Sequence, residues 1–409
     1  EELEKLISSD QFRASMYAFN LVQKHAKNPQ GAPDPKLAIK VQKVGIVGAG
    51  LMASQFALLF LRRLSVPVII TDVSQERVDK GLAYVRAELD KLVEKGRLSA
   101  DDRNRFSANL SGTLDLADFA TCDWVIEAVF EEMKIKQDVF TRVEEVVRED
   151  CVLATNTSSL SVDEIAKVLK HPERMVGFHF FNPVAVMPLL EVVKAPKSND
   201  VSIATAMKVA KDLKKTAVIT SDSTGFVVNR LLGYLLGEAM RAVDEGIPFE
   251  EVADAIAPLG LPMNPFDLLE LVGLQVGAHV LDSMYGFSSE RFYKTESLHK
   301  LAKYGKIRTK DSKGNPTGYD PEAIKIVAGG TRSRTKEQVF EQLVEGLAKE
   351  IKLMLDEGVV ASAEDIDLCM IMGAGWPFHL GGITPYLDRV GASQKVFGST
   401  FHTPMIKGV

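Results

Sequence analysis

The sequence predicts an α/β fold: a doubly wound, mostly parallel sheet followed by two repeated all-α domains. Three observations carry that expectation. An apolar strand, a glycine turn, a helix and a second apolar strand follow one another between Lys43 and Asp72. Apolar strands then alternate with helical stretches as far as residue 223, as in crossover-connected parallel sheets. Beyond Gly225 the strand signals stop, and two helical segments match each other at an offset near 112 residues.

Residues 1–27 read as one amphipathic helix, with Leu3, Leu6, Ile7, Phe12, Met16, Phe19 and Val22 at roughly helical spacing. Asn28 to Pro35 holds three prolines and reads as a linker. The helix either packs on this chain or once joined an upstream domain. Val44–Val47 and Val66–Asp72 are the first two strands, with a helix over 52–64 between them. Further strands are expected at Trp124–Val129, Val152–Thr155, Met175–Phe180 and Leu190–Val193. In the last part, Leu235–Glu238 and Asp244–Ile247 align with Leu347–Glu350 and Asp356–Val359. Gly260-Leu-Pro262 pairs with Gly375-Trp-Pro377, and Val272-Gly273 with Val390-Gly391. Four anchors in one order favour duplication, with Lys303–Asp320 between the copies as a solvated loop. The expected division is 1–42 for the helix and linker, 43–224 for the sheet domain, and 225–330 and 331–409 for the helical repeats.

Composition narrows the function classes. Of 409 residues, 46% are hydrophobic and 25% charged, ordinary for a globular chain. A net charge of −6 offers no footprint for nucleic acid. Cys122, Cys151 and Cys369 are too scattered for a disulfide framework or a zinc site, so no metal is expected and a reducing compartment is the natural reading. No transmembrane segment or signal peptide is readable, so a cytoplasmic location is expected. The first residue is Glu1 rather than Met, so the chain is expected to be a piece whose upstream signals are out of view.

The turn Gly48-Ala-Gly50-Leu-Met-Ala53 fits G-x-G-x-x-A between a strand and a helix. Gly48 permits the tight turn, Gly50 lets backbone approach a pyrophosphate, and the small Ala53 lets helix and strand pack closely. The helix N-terminus then faces the phosphates with open N–H groups. Asp72 ends the next strand 22 residues after Gly50, where an acid would bind the adenine ribose and repel a 2′-phosphate. The site reads as a Rossmann-type NAD turn. Asp72 could equally be the N-cap of the following helix, and a flavin is a weaker rival for the turn.

Four polar segments follow at strand ends or at the boundary between the halves: Thr155–Ser159, Gly177–Pro183, Glu191 within Leu189–Val193, and Gly225–Arg230. Oxidising an alcohol needs a base for the hydroxyl proton as hydride leaves carbon. His179 suits that task, with Glu191 to orient and stabilise the imidazolium. Ser158 and Asn229 could surround the reacting oxygen. The residues leave other readings open. His179, flanked by Phe178, Phe180 and Phe181, could be a core histidine, Ser158 a turn residue and Asn229 a helix cap. Glu127, also in an apolar strand, could want a partner as much as Glu191.

Together the strings GAGLMA, VIEAVFEEMKIK, TNTSSL, GFHFFNPVAVMPLLEVV and TGFVVNRLL resemble the 3-hydroxyacyl-CoA dehydrogenase family, in its order and spacing, from residue 44 to about 285. The resemblance implies an NAD-dependent oxidoreductase of fatty-acid beta-oxidation, acting on (S)-3-hydroxyacyl-CoA. It makes His179 the catalytic base, Glu191 its partner, and Ser158 and Asn229 contacts to the reacting end of the substrate. Met52, Asp72, Glu131, Lys136 and Asn182 become NAD contacts beside Gly48 and Gly50. Two helical repeats after a helix and linker resemble the dehydrogenase part of the multifunctional members, whose enoyl-CoA hydratase domain lies upstream and is missing here. A thiolase would then be the natural partner. Departures are Ala53 for a more usual glycine, Gln55-Phe56 in place of smaller residues, Asn264 before Pro-Phe, and a divergent loop at Lys310–Tyr319. Two other functions stand beside this one: a dehydrogenase-like binding protein without turnover, and a dehydrogenase of free hydroxy acids.

Overall fold

The computed structural model describes Ile7 and the stretch from Ser9 to Thr403. It divides into two compact units, one spanning Asn28–Phe226 and the other joining the N-terminal segment up to Lys27 with the chain from Val227 onward.

The N-terminal helix α1 runs over Asp10–Gln23 and belongs to the second unit. Ser9 caps it, its hydroxyl accepting the Phe12 N–H at 3.2 Å. Leu3 and Leu6 of the expected helix lie outside the described residues. The buried face differs from the one the large apolar side chains suggested. Ala14, Ala18 and Leu21 are buried, while Phe12, Met16 and Phe19 are exposed. The cause is close approach: Gly381 lies so near that a Cβ on it would stand 3.0 Å from Ala14.

The first unit is built as β1 (Val44–Val47), α2 (Leu51–Leu64), β2 (Val68–Thr71), α3 (Gln75–Glu94), α4 (Ala100–Ala108), β3 (Leu110–Thr113) and β4 (Trp124–Glu127). It continues with α5 (Met133–Glu144), β5 (Val152–Thr155), α6 (Val162–Ala166), β6 (Met175–Phe180), β7 (Leu189–Lys194), α7 (Asp200–Asp212) and β8 (Thr216–Ser221). The eight strands form one sheet in the order β3-β2-β1-β4-β5-β6-β7-β8. Strands β1 to β6 are parallel. Strand β7 runs antiparallel to β6, and β8 parallel to β7.

Burial on both faces explains the unbroken apolar runs of β1, β2, β4 and β5, every residue of which is buried. Phe56 and Phe60 of α2 and Val78 of α3 pack with Ile46 and Ile126 on one face. Phe140 of α5 and Ile165 of α6 pack with Val47, Val125 and Leu153 on the other. The helices after β1 and β4 thus leave in opposite directions, and a crevice opens at the carboxyl ends of these two neighbouring strands. The edge strands β3 and β8 were not readable from the sequence. Only Leu110 of β3 is buried, and β8 is buried at alternate positions in part, so neither is a continuous apolar run.

The second unit holds α8 (Val228–Asp244), α9 (Phe249–Ile256), α10 (Pro265–Val272), α11 (Leu274–Phe287), α12 (Glu296–Tyr304), β9 (Arg308–Lys310), β10 (Pro316–Tyr319) and α13 (Pro321–Val327). A second series follows with α14 (Lys336–Asp356), α15 (Ala363–Ala374), α16 (Ile383–Arg389) and α17 (Ala392–Phe397). Strands do not stop at Gly225: β9 and β10 pair as an antiparallel hairpin where a solvated loop was expected. Neighbours that sequence periodicity cannot see hold it. Glu270 accepts the Ile307 and Arg308 N–H groups at 2.6 Å, and Tyr319 stacks on Phe249 at 4.9 Å between ring centroids.

The two series repeat each other in detail. Gly246, Gly260 and Gly273 have φ of 84°, 64° and 98°; Gly358, Gly375 and Gly391, their partners in the alignment, have 66°, 70° and 77°. A left-handed residue ends the same helix in both copies, which is why glycine recurs there. The contacts are reciprocal. A Cβ on Gly260 would sit 3.2 Å from Pro377, and one on Gly375 would sit 3.2 Å from Pro262. Arg230 of the first copy pairs with Glu350 of the second, and Arg334 of the second pairs with Glu238 of the first. α1 is tied to the second copy by Tyr17, which donates to Asp367 at 2.8 Å, and by His25, 2.7 Å from Asp365. Asp367 is wholly buried and also accepts the Thr384 N–H and hydroxyl at 2.7 Å each. Among the described residues no helix is long and apolar enough to cross a membrane.

Candidate active site

The glycine turn lies where the crevice begins. Gly48 has φ 113°, and a Cβ there would stand 2.6 Å from the Ala128 carbonyl oxygen. Glycine is therefore required by backbone geometry and by space. Gly50 is the N-cap of α2 with no side-chain hydrogen bond to its first turn, and a Cβ on it would meet nothing within 4 Å. Open N–H groups at a helix N-terminus beside free space form a cradle that suits a pyrophosphate. Asp72 follows β2, its carboxylate accepting the Ala49 and Val73 N–H groups at 2.7 Å each. The acid thus holds the turn and the end of β2 together. Met52 is half-buried in the first turn of α2.

Behind the crevice the sequence-predicted Glu131 and Lys136 belong to a buried polar network. Lys136, fully buried on α5, lies 2.7 Å from Glu127 and 3.3 Å from Glu131. Glu127, at the end of β4, also accepts the Thr155 hydroxyl at 2.6 Å and the Val129 N–H at 2.6 Å. Its partner is therefore Lys136. Glu131 accepts the Thr157 hydroxyl and the Ser158 N–H at 2.7 Å each, and the Ser158 hydroxyl at 3.1 Å. Burial would raise the Glu131 carboxyl, but the Lys136 charge and these donors outweigh it and hold it below the usual carboxylate range. Ser158 is thereby fixed by a charged acceptor just past the end of β5.

His179 and Glu191 face each other across the antiparallel β6–β7 pair, in direct register. The His179 Nδ1 lies 2.7 Å from the Glu191 carboxylate, with His179 5% exposed and Glu191 0%. The flanking Phe178 and Phe180 point away from this pair, as alternate strand residues must. They join Trp124 and Phe56 in the sheet core, with Phe178 4.8 Å from Trp124 and Phe180 4.6 Å from Phe56. The imidazole itself packs against Phe181 at 4.5 Å and Phe226 at 5.6 Å between centroids. Phe226 is buried at φ 49°, a left-handed conformation costly for an aromatic residue. Asn182 follows β6, and its side chain accepts from Gln55 of α2 at 3.4 Å. Asn229 stands in the first turn of α8 and so belongs to the helical unit.

Three positioning residues escaped sequence reasoning. Gln55 also accepts the Val184 N–H at 2.8 Å, so the departure Gln55-Phe56 ties α2 to the segment after β6. Asn156 accepts the Phe180 N–H at 3.0 Å, beside His179. Asp222 accepts the Ser161 hydroxyl and the Val162 N–H at 2.7 and 2.9 Å, anchoring the segment after Ser158 to the one before Phe226. The polar cluster at Thr155–Ser159 contained Asn156 and the departure at Gln55-Phe56 marked Gln55 without a role, whereas nothing signalled Asp222.

An open α/β sheet with a glycine turn suited to a pyrophosphate, an acid after β2 and a buried His–Glu pair fits the class of NAD-dependent oxidoreductases. Comparison with known proteins gives the family. Residues 43–223 match the NAD binding domain of 3-hydroxyacyl-CoA dehydrogenase, and residues 225–316 match its C-terminal domain. The chain belongs to the 3-hydroxyacyl-CoA dehydrogenase family. It is 33% identical over 377 residues to the fatty acid oxidation complex subunit alpha of Pseudomonas putida, covering 88% of this chain and 53% of that protein. The chain thus spans about half the length of the curated relatives it matches. Among solved structures, the (S)-3-hydroxybutyryl-CoA dehydrogenase of Ralstonia eutropha is 30% identical with TM-score 0.61, covering 65% of this chain and 94% of that one. The 3-hydroxybutyryl-CoA dehydrogenase of Escherichia coli, 24% identical with TM-score 0.73, covers 89% of this chain and 96% of that one and shares the fold.

Proposed function

We propose that the chain oxidises an (S)-3-hydroxyacyl-CoA to the 3-ketoacyl-CoA, with His179 as general base and Glu191 as its partner. The observation that carries this reading is the buried His179–Glu191 pair in direct β6–β7 register at 2.7 Å. A carboxylate can only accept, so Nδ1–H points to Glu191 and the Nε2 lone pair is left to take a proton. The substrate hydroxyl gives its proton to Nε2 as the C3–H bond breaks and the carbonyl forms. NAD, when bound at the glycine turn, supplies the acceptor for the hydride. Glu191 then faces the imidazolium and stabilises it, while Phe181 and Phe226 limit ring rotation. Ser158, held by Glu131, is assigned to the reacting oxygen; Asn229 receives the same role on sequence resemblance alone.

The thioester class rests on relatives named for coenzyme A esters or fatty acid oxidation. On the sequence resemblance to multifunctional members alone, a hydratase activity and a thiolase partner are proposed for the whole protein. The test follows NADH absorbance with acetoacetyl-CoA and with free acetoacetate. Consumption with the thioester alone, lowered about 10²–10⁴-fold in His179→Gln, is expected. Equal turnover of the free acid would overturn the substrate class, and undiminished turnover in His179→Gln would overturn the base.

A further inference from the structure

The sheet unit carries a second concave site, away from the glycine turn. A cavity of about 530 Å³ lies where the segment before β1 meets the last turns of α2 and α7. Helix α2 is 14 residues long. At 1.5 Å per residue its two ends stand roughly 20 Å apart, with the cofactor turn at one and this cavity at the other.

Five cations line the cavity: Lys40, Arg62, Arg63, Lys208 and Lys214. The single acid there, Asp212, is already paired with Lys208. Among the described residues no carboxylate pairs with Lys40, Arg62, Arg63 or Lys214. Burial and the neighbouring Arg63 both lower the pKa of Arg62, and they pull the nearby Lys215 down to about 8. No acid offsets either shift. Cations at helix C-termini do complement the helix dipole, and one or two per end need no other explanation. That reading does not account for Lys214. It sits at φ 62° just past α7, where its N–H bonds to the Lys211 carbonyl and the Lys215 N–H reaches back to Ala210. Glycine ordinarily fills this left-handed helix-ending position, because a Cβ strains it. A lysine there keeps the strain and puts an ammonium on the cavity wall. Pro35, Ile39, Val41 and Leu64 supply apolar wall beside the charges.

We propose that this cavity binds a nucleotide carrying at least two phosphate groups, its base on the apolar wall and its phosphates among Arg62, Arg63 and Lys214. The ligand is either a free nucleoside diphosphate or the 3′-phosphorylated ADP portion of a coenzyme A ester. The second source rests on the substrate class proposed above, and the binding test does not depend on turnover.

The test is calorimetric titration of the whole chain and of its Gly48→Ala form, in which the glycine turn is disturbed. The probes are ADP, adenosine 3′,5′-bisphosphate and inorganic phosphate. At least one nucleotide is expected to show a site that Gly48→Ala leaves unchanged. Arg62→Gln and Lys214→Gly should each weaken it about tenfold or more, as for loss of a charge-assisted hydrogen bond. Lys214→Gly should also raise the thermal midpoint, because glycine relieves the left-handed backbone, so weaker binding cannot be ascribed to damage. Tighter binding of the bisphosphate supports the coenzyme A source, and tighter binding of ADP the free nucleotide. The proposal is overturned if neither nucleotide shows a site that Gly48→Ala leaves unchanged, if Arg62→Gln and Lys214→Gly both bind as the parent does, or if phosphate alone binds as well as the nucleotides.

Discussion

Replacing Glu191 by glutamine removes the charge behind His179 and keeps the side chain's size. Glu191 is fully buried and sits 2.7 Å from Nδ1, so an amide of the same shape keeps the packing and can still accept one hydrogen bond. What is lost is the difference between a charged and a neutral acceptor as the imidazole becomes imidazolium. Hydrogen bonds to charged groups are worth about 1.5–3 kcal/mol, which converts to a fall in kcat of about tenfold to 150-fold. Glu191 acts through His179 on the reading proposed above, so KM for acetoacetyl-CoA should stay within about twofold. In a double-mutant cycle with His179→Gln the losses should not multiply, because the carboxylate has no work without the base. Initial rates from NADH absorbance over a range of substrate concentrations measure all four forms. Unchanged kcat in Glu191→Gln, or losses that multiply in the double variant, would refute the pairing.

Gly48→Ala places a Cβ 2.6 Å from the Ala128 carbonyl at φ 113°, so the turn must move; a cost of about 1–2 kcal/mol should appear as weaker NADH binding by fluorescence titration, and an unchanged Kd would contradict the cradle. Lys136→Met leaves Glu127 and Glu131 without their common cation. Urea unfolding should record a loss of about 3–5 kcal/mol, as when one partner of a buried pair is removed, and a loss under about 1 kcal/mol would count against the network. His25 responds to pH. The hydrogen bond that His25 donates to the Asp365 carboxylate raises its pKa above the ordinary histidine value, although partial burial opposes it. His402 shifts the same way: burial opposes, but Asp367 outweighs it. Both folded-state values exceed the unfolded one, so their stabilisation is complete below about pH 6.5 and fades as pH rises through the raised values. Amide exchange in α1 should therefore quicken between mildly acidic and alkaline pH beyond the intrinsic rate change, and His25→Asn should remove part of that dependence. Equal protection at both ends would place the docking of α1 elsewhere.

The central strands were legible because both faces of the sheet are covered, which makes each strand a plain apolar run between turns. β3 and β8 were not, because an edge strand buries too few side chains to leave a signature. The glycine turn and Asp72 could be found by spacing, since backbone geometry dictates both. His179 and Glu191 are 12 positions apart, and only the antiparallel turn of β7 against β6 puts them opposite each other. That reversal is a property of topology, invisible to local pattern. Lys136 illustrates the converse. Its place in a helix reads as surface charge, yet two carboxylates from the β4 end draw it inside. The apolar stripe of α1 misled for a related reason. Large side chains advertise a buried face, but alanines meeting Gly381 made the closer contact.

The reciprocal Arg–Glu pairs between the helical copies set a condition on how this half of the chain can be shortened. Each copy buries a charge whose counter-charge is encoded more than 90 residues away in the other: Arg230 with Glu350, and Arg334 with Glu238. Deleting either copy would leave an arginine without its carboxylate partner on a newly uncovered face. One polypeptide carries both, so the two halves meet by loop closure rather than by collision. Their association does not weaken on dilution, and no second molecule can offer one copy a wrong partner more often than its own chain offers the right one.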